Sequence, residues 1–197
     1  MKEGKEEQIS LDDIEVPEKI PTKFINNRVI VFNPLYASYL YVKKKFFGSP
    51  LGISKPRLEY FSKPSELSLI EAYYLLENDE ITIFDVKEQK NLNPKEFFDI
   101  AKKIHNKFED KYVIYKDLRD KKYVPRPGLK FGADFVVYKK GPGLEHSLFM
   151  VHVLPHNSEI TAIDMVRAGR LATSVRKKFV IANPLTKSYY FFEWFKP

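Results

Sequence analysis

Tyr138 and His146 stand on either side of a Gly-Pro-Gly loop in FGADFVVYKKGPGLEHSLFMVHVL, residues 131–154. The chain holds no cysteine, which removes disulfides, thiol catalysis and Cys-ligated zinc. It carries a net charge of +7 with a pI near 9.3, a balance that suits a polyanionic partner, most simply a nucleic acid. For a basic protein with Tyr, His and Lys, one economical chemistry is cleavage of RNA by its own 2′-hydroxyl. That reaction needs a base for the 2′-OH proton, an acid for the departing 5′-oxygen, and a cation where negative charge builds on phosphorus. A histidine suits the acid role. A tyrosine is a poor base unless a neighbouring cation favours its phenolate. A Tyr and a His at strand ends are also ordinary packing residues, so the pair by itself leaves both readings open.

The elements that would hold this pair are two strands. Phe131, Ala133, Phe135 and Val137 alternate onto one face, and Ser147, Phe149, Val151 and Val153 do so on the next strand. A hairpin that sets Tyr138 across from His146 also pairs Phe135 with Phe149, Ala133 with Val151 and Phe131 with Val153. The spacing therefore predicts that register, with Tyr138 and His146 opposed at the mouth of the loop on the face away from this core. His152 lies six residues along, roughly 20 Å away at about 3.3 Å per residue, so it cannot share a site with His146. His105 and His156 read as surface residues. Downstream, SEITAIDMVRAGRLATS (158–174) is expected to be a helix capped by Ser158. VRKKFVIA (175–182) and the aromatic SYYFFEWF (188–195) are expected to be strands.

Upstream, FINNRVIVF (24–32) reads as a strand and YASYLYVKKKFFG (36–48) is ambiguous, while three prolines make 49–64 mostly loop. Ser68 and Glu71 form a capping box ahead of the helix LIEAYYLLEND. ITIFDV (81–86) is a strand, and Asn93-Pro94 opens a helix whose apolar positions are Phe97, Ile100, Ala101, Ile104 and Phe108. DKYVIYKDLRDKKY (110–123) suggests a further helix. With 197 residues, 44% of them apolar, a packed core is expected and no apolar run reaches the length of a membrane span. The N-terminus lacks the apolar stretch of a signal peptide, and the expected location is cytoplasmic. The expected organisation is a charged flexible tail (1–22), an N-terminal α+β domain (23–107) and a C-terminal domain (108–197).

The segment YVPRPGLKFGADFVVYKKGPGLEHSLFMVHV, followed by RLATSVRKKFVIA, resembles the catalytic domain of the archaeal tRNA-splicing endonucleases. The pattern Gly-x-Lys-Phe-Gly-x-Asp-Phe, then Tyr, His-Ser and Ser-Val-Arg-Lys-Lys runs in the family's order over about 90 residues, and LSLIEAYYLLE and 94–109 match the first half more weakly. The resemblance implies an α+β protein of two small domains, the C-terminal one a mixed β-sheet flanked by helices, like the restriction nucleases. It places the family's catalytic tyrosine on Tyr138, its histidine on His146 and its lysine on Lys177. Strand parity could not choose between Lys177 and Lys178. It further implies cleavage of precursor tRNA at a bulge–helix–bulge, leaving 2′,3′-cyclic phosphate and 5′-hydroxyl ends without metal or other cofactor. Such RNA is read by shape and splayed bases. The implied base clamp falls on Arg170, with Trp194 and Arg176 as further RNA-binding candidates. Arg170 also reads as a solvated helix arginine covering Val166, and Trp194 as a core residue of the last strand.

The resemblance also implies dimerisation through the C-terminal strands, and tetramers joined by an acidic loop between the last two. Here that loop is NPLTK (183–187), with no carboxylate. The expected assembly is therefore a two-plus-two heterotetramer with a paralogous structural subunit, unless an acidic segment such as Glu77 to Glu80 substitutes. The rival classes are a non-catalytic RNA-binding subunit of the same complex and a metal-dependent restriction-type nuclease. The second would need clustered carboxylates, and Asp134 and Glu145 are isolated in the sequence.

Overall fold

The computed structural model describes residues 10–11, 14–155, 158–163, 165–166, 169–170 and 178–192. The chain divides into two compact units, residues 1–98 and 99–197. Each contains a sheet with helices, so the class is α+β, as expected. Among the described residues no helix is long and apolar enough to cross a membrane.

The first unit is built on strands β1 (Ile20–Ile25), β2 (Arg28–Val31), β3 (Ser49–Pro50), β4 (Ser65–Leu67), β5 (Ile81–Asp85) and β6 (Lys90–Leu92), in the order β3-β4-β2-β1-β5-β6. FINNRVIVF is not one strand. Asn26 and Asn27 take positive φ (48° and 64°), turning β1 back antiparallel onto β2. The first strand also starts earlier than the expected Phe24, and Ile20 already pairs with Ile81 of β5. The ambiguous aromatic stretch is helix α1 (Pro34–Val42), started by Asn33, whose side chain accepts from the Leu35 amide. The capping box of α2 (Leu69–Glu77) forms as expected. The Glu71 amide donates to Ser68 Oγ at 3.3 Å and the Ser68 amide to Glu71 Oε2 at 2.9 Å.

Helix α3 (Pro94–Ile104) opens on Asn93, which accepts from the Glu96 amide at 2.9 Å. It stops before Phe108, which the helical spacing had included. Lys107 is left-handed (φ 59°), and Phe108 begins α4 (Phe108–Asp120). In the second unit β7 (Val124–Pro127), β8 (Phe135–Tyr138), β9 (Phe149–Val153), β10 (Lys178–Asn183) and β11 (Ser188–Phe192) form a mixed sheet in the order β11-β10-β9-β8-β7. Within this sheet, among the described strands, only the β9–β10 pair is parallel. Tyr115 of α4 meets Phe135 with ring centroids 5.8 Å apart, so the face carrying Phe135 is covered by α4. Ala133, Val136, Met150, Phe179 and Ile181 form a second cluster, with Tyr138 packed against it. The sheet is thus buried on two faces, which is why apolar residues fill consecutive positions from Phe135 to Val137.

Two sequence expectations for this sheet give way. Residues Leu129–Phe131 form a 3-10 turn rather than strand, so Phe131 is exposed, and Ala133 joins the Val136 cluster instead of the Phe135 face. Residues 162–163, 165–166 and 169–170 are helical, with the Met165 amide donating to the Thr161 carbonyl. Ser158 is not the cap of that helix: its hydroxyl donates to the Pro155 carbonyl at 2.8 Å.

Candidate active site

The turn that feeds β8 explains the glycines of GLKFGADF. A Cβ on Gly128 would lie 2.8 Å from the Ala133 carbonyl oxygen, and Gly132 is left-handed at φ 66°. The Gly128 carbonyl accepts from the amides of Phe131 and Ala133, and its amide donates to the Asp134 carbonyl at 3.0 Å. This knot delivers Asp134 to a part-buried junction. Asp134 Oδ1 lies 2.8 Å from Lys111 Nζ of α4, and Oδ2 lies 3.1 Å from His152 Nδ1 and accepts from the Val153 amide at 2.8 Å.

Burial alone would raise the Asp134 pKa. The hydrogen bonds of His152, Lys111 and the Val153 amide outweigh it and hold the carboxyl well below the ordinary range. A depressed folded-state pKa contributes stability that is fully present above the unfolded value, declines as pH falls below that value, and is gone only below the folded one. Asp134→Asn is therefore expected to cost about 1–3 kcal/mol at pH 7, the range for losing charge-assisted hydrogen bonds at a part-buried group. In urea titrations the gap from wild type should narrow by about pH 2.5, below the ordinary aspartate value. A gap that stays unchanged on acidification would assign the loss to packing rather than charge.

The register of β8 and β9 differs from the sequence expectation by two residues. Phe135 pairs with Val151, Val136 with Met150 and Val137 with Phe149. One step further puts Leu148, not His146, across from Tyr138, whose partner on the other side is Val124 of β7. A slip of two residues leaves every side chain on its face, so alternation could not detect it. The clasp of Asp134 on the Val153 amide sets this register instead.

Tyr138 ends β8 half-buried, and His146 is exposed in the loop beyond the ladder. Arg126 pairs with Val136 on β7, one diagonal step from Tyr138 on the same face. Burial raises the Tyr138 phenol above its ordinary value, and the charge of Arg126 acts against that rise. Sequence reasoning missed Arg126. Its signal was cryptic, because it depends on which strand lies beside β8. Glu145 was set aside as an isolated carboxylate. It accepts from the amides of Lys139 and Lys140, within the same loop as His146. His152, set aside on distance, partners Asp134. His105 is half-buried rather than a plain surface residue, with its ring beside Phe108 and Nδ1 3.0 Å from the Asn106 carbonyl oxygen.

Arg170 is exposed on a helical stretch, as is Val166. Lys177, Arg176, Trp194 and His156 lie outside the described residues, as do residues 1–9 and 12–13 of the tail expected at 1–22, and Ile20 to Thr22 of that expected tail belong to β1. Among the described residues no group of three His, Cys, Asp or Glu side chains is placed to hold a metal ion.

Residues 20–98 match the tRNA intron endonuclease N-terminal domain, and residues 108–189 match the catalytic C-terminal domain of the same family. A tRNA-splicing endonuclease of Hyperthermus butylicus is 43% identical over 176 residues, covering 86% of this chain and 95% of that protein. Those of Saccharolobus islandicus strain L.S.2.15 and Saccharolobus solfataricus are each 38% identical over 177 residues, covering 87% of this chain and 96% of theirs. Both halves of the fold are matched in order, and Tyr138, His146 and their connecting loop fall inside the catalytic part. The chain therefore belongs to the tRNA intron endonuclease family.

Proposed function

We propose that this chain is a catalytic subunit of a tRNA-splicing endonuclease that cuts precursor tRNA at bulge–helix–bulge junctions. The observation that carries this reading is the placement of a half-buried Tyr138 and an exposed His146 on the two sides of one loop, inside the region matched to the family's catalytic domain. Tyr138 takes the proton of the 2′-hydroxyl, and the freed oxygen attacks the adjacent phosphorus. The bond to the 5′-oxygen breaks, and His146 protonates that oxygen as it leaves. Lys177 supplies positive charge to the phosphorane. The phenol of Tyr138 is held above its ordinary value, so the base role depends on cations that favour its phenolate. Arg126 is one such cation and Lys177 is the other.

The products are a 2′,3′-cyclic phosphate and a 5′-hydroxyl, because the nucleophile belongs to the RNA. No metal or other cofactor takes part. In support, the two carboxylates weighed as metal ligands are otherwise engaged: Asp134 with Lys111, His152 and Val153, and Glu145 with backbone amides. Arg170 stacks on a bulge base, opposed by a planar group from another subunit. Trp194 is the corresponding candidate on this chain, and Arg176 contacts the RNA backbone. The reaction takes place in the cytoplasm with the precursor.

The test is the chemistry of the ends. Cleavage in EDTA should proceed at the same rate as without it, and the 5′ ends should accept phosphate from a kinase without prior dephosphorylation. The matching 3′ ends should resist a phosphatase until the cyclic phosphate is opened. Finding 5′-phosphate ends, or loss of cleavage with the chelator, would point to water and metal as the reagents and end the proposal.

A further inference from the structure

The ladder between β8 and β9 stops short of the candidate acid. Its last bond on this side is the Leu148 amide donating to the Val137 carbonyl at 2.8 Å, and His146 stands two residues outside it. Glu145 spans that gap. Its Oε1 accepts from the amides of both Lys139 and Lys140, at 2.5 Å each. Those amides directly follow Tyr138, and the carboxylate directly precedes His146. The intervening loop is closed further by the Leu144 amide donating to the Gly141 carbonyl at 3.3 Å and by a bridge between Pro142 and Glu145.

Consecutive backbone amides converging on one carboxylate oxygen make a small anion nest, and charge-assisted bonds of this kind are stronger than neutral ones. The Lys140 amide holds the Glu145 carboxyl below its ordinary range, against a smaller effect of burial, with the Lys139 and Gly141 amides adding to it. The clasp is therefore charged throughout the neutral range.

We infer that Glu145 is a positioning residue: by gripping the amides after Tyr138 it fixes where His146 stands relative to Tyr138 at the two ends of the loop. The inference rests on the proposed reading of Tyr138 and His146 as base and acid. Its force comes from geometry, since a misplacement of about 1 Å in a reacting constellation costs on the order of 10²-fold in rate.

Three substitutions separate reach from charge. Glu145→Gln keeps the reach and an acceptor oxygen but loses the charge. Glu145→Asp keeps the charge but is one methylene short. Glu145→Ala loses both. In single-turnover cleavage of bulged RNA by the active assembly, the Gln variant should stay within about 5-fold of wild type, since neutral bonds hold the same geometry at roughly half the strength. The Ala variant should fall by about 30- to 100-fold, with Asp between them. Binding of uncleaved RNA should change little. In a His146→Ala background, Glu145→Ala should add no further loss, because its effect passes through His146.

Wild-type rates in the Ala variant would overturn the inference. So would an order in which Asp matches wild type and Gln matches Ala, which would make the charge itself the active feature. A full additional loss in the His146→Ala background would overturn it too, by showing that Glu145 acts elsewhere. Because the Gln and Asp variants retain polar side chains in an exposed loop, they carry the test even where alanine loosens the fold. Wild-type cleavage by His146→Ala itself is a different result: it removes the underlying reading, and the inference with it.

Discussion

His146→Ala is expected to slow single-turnover cleavage of a bulge–helix–bulge precursor by about 10²–10⁴-fold, the range for losing a general acid or base, while RNA binding and the thermal melt should stay near wild type. The argument is local. His146 is exposed and outside the strand ladder, so its removal leaves no cavity and breaks no ladder bond. Tyr138→Phe should lose a similar factor for a different reason. The ring packs beside the Val136 and Met150 cluster and is retained, so only the hydroxyl disappears. If either variant cleaves at the wild-type rate under single-turnover conditions, the assignment of base and acid fails.

Purified alone, the chain is expected to leave bulge–helix–bulge RNA essentially uncut, and a paralogous subunit carrying an acidic loop should restore cleavage. The connection between β10 and β11 is a tight turn over residues 184–187. Asn183 Oδ1 accepts from the amides of Leu185 and Thr186, and Lys187 closes the turn at φ 52°. It presents no carboxylate, and Lys187 would oppose docking into a basic pocket. The edge strand β11 exposes Tyr190 and Phe191, a surface suited to pairing with another subunit. The alternative acidic donor, around Glu77 to Glu80, is already engaged. Asp79 lies 2.6 Å from Lys19, and Glu80 lies 2.9 Å from Lys44. Size-exclusion chromatography with light scattering, followed by an activity assay with and without the paralogue, decides the matter. A lone preparation that cleaves at the rate of the reconstituted assembly would remove the need for a partner.

Local chemistry was readable directly from the chain. The Ser68–Glu71 box and the Asn93-Pro94 helix start each depend on contacts within a few residues. The absence of cysteine and the basic balance bounded the chemistry before any fold was considered. Even local reading failed where two signals competed. FINNRVIVF reads as one strand, yet Asn26-Asn27 within it is the turn between two strands.

Register was beyond the reach of the sequence. Alternation has a period of two, so pairing Phe135 with Phe149 or with Val151 buries the same faces and the apolar pattern cannot separate them. The tertiary structure decides it through the Asp134 carboxylate, which bonds a backbone amide 19 residues away and a lysine on α4. The same holds for the surroundings of the candidate base. Arg126 comes beside Tyr138 only because β7 lies against β8, and a charge that acts across strands leaves no trace in the spacing of either one.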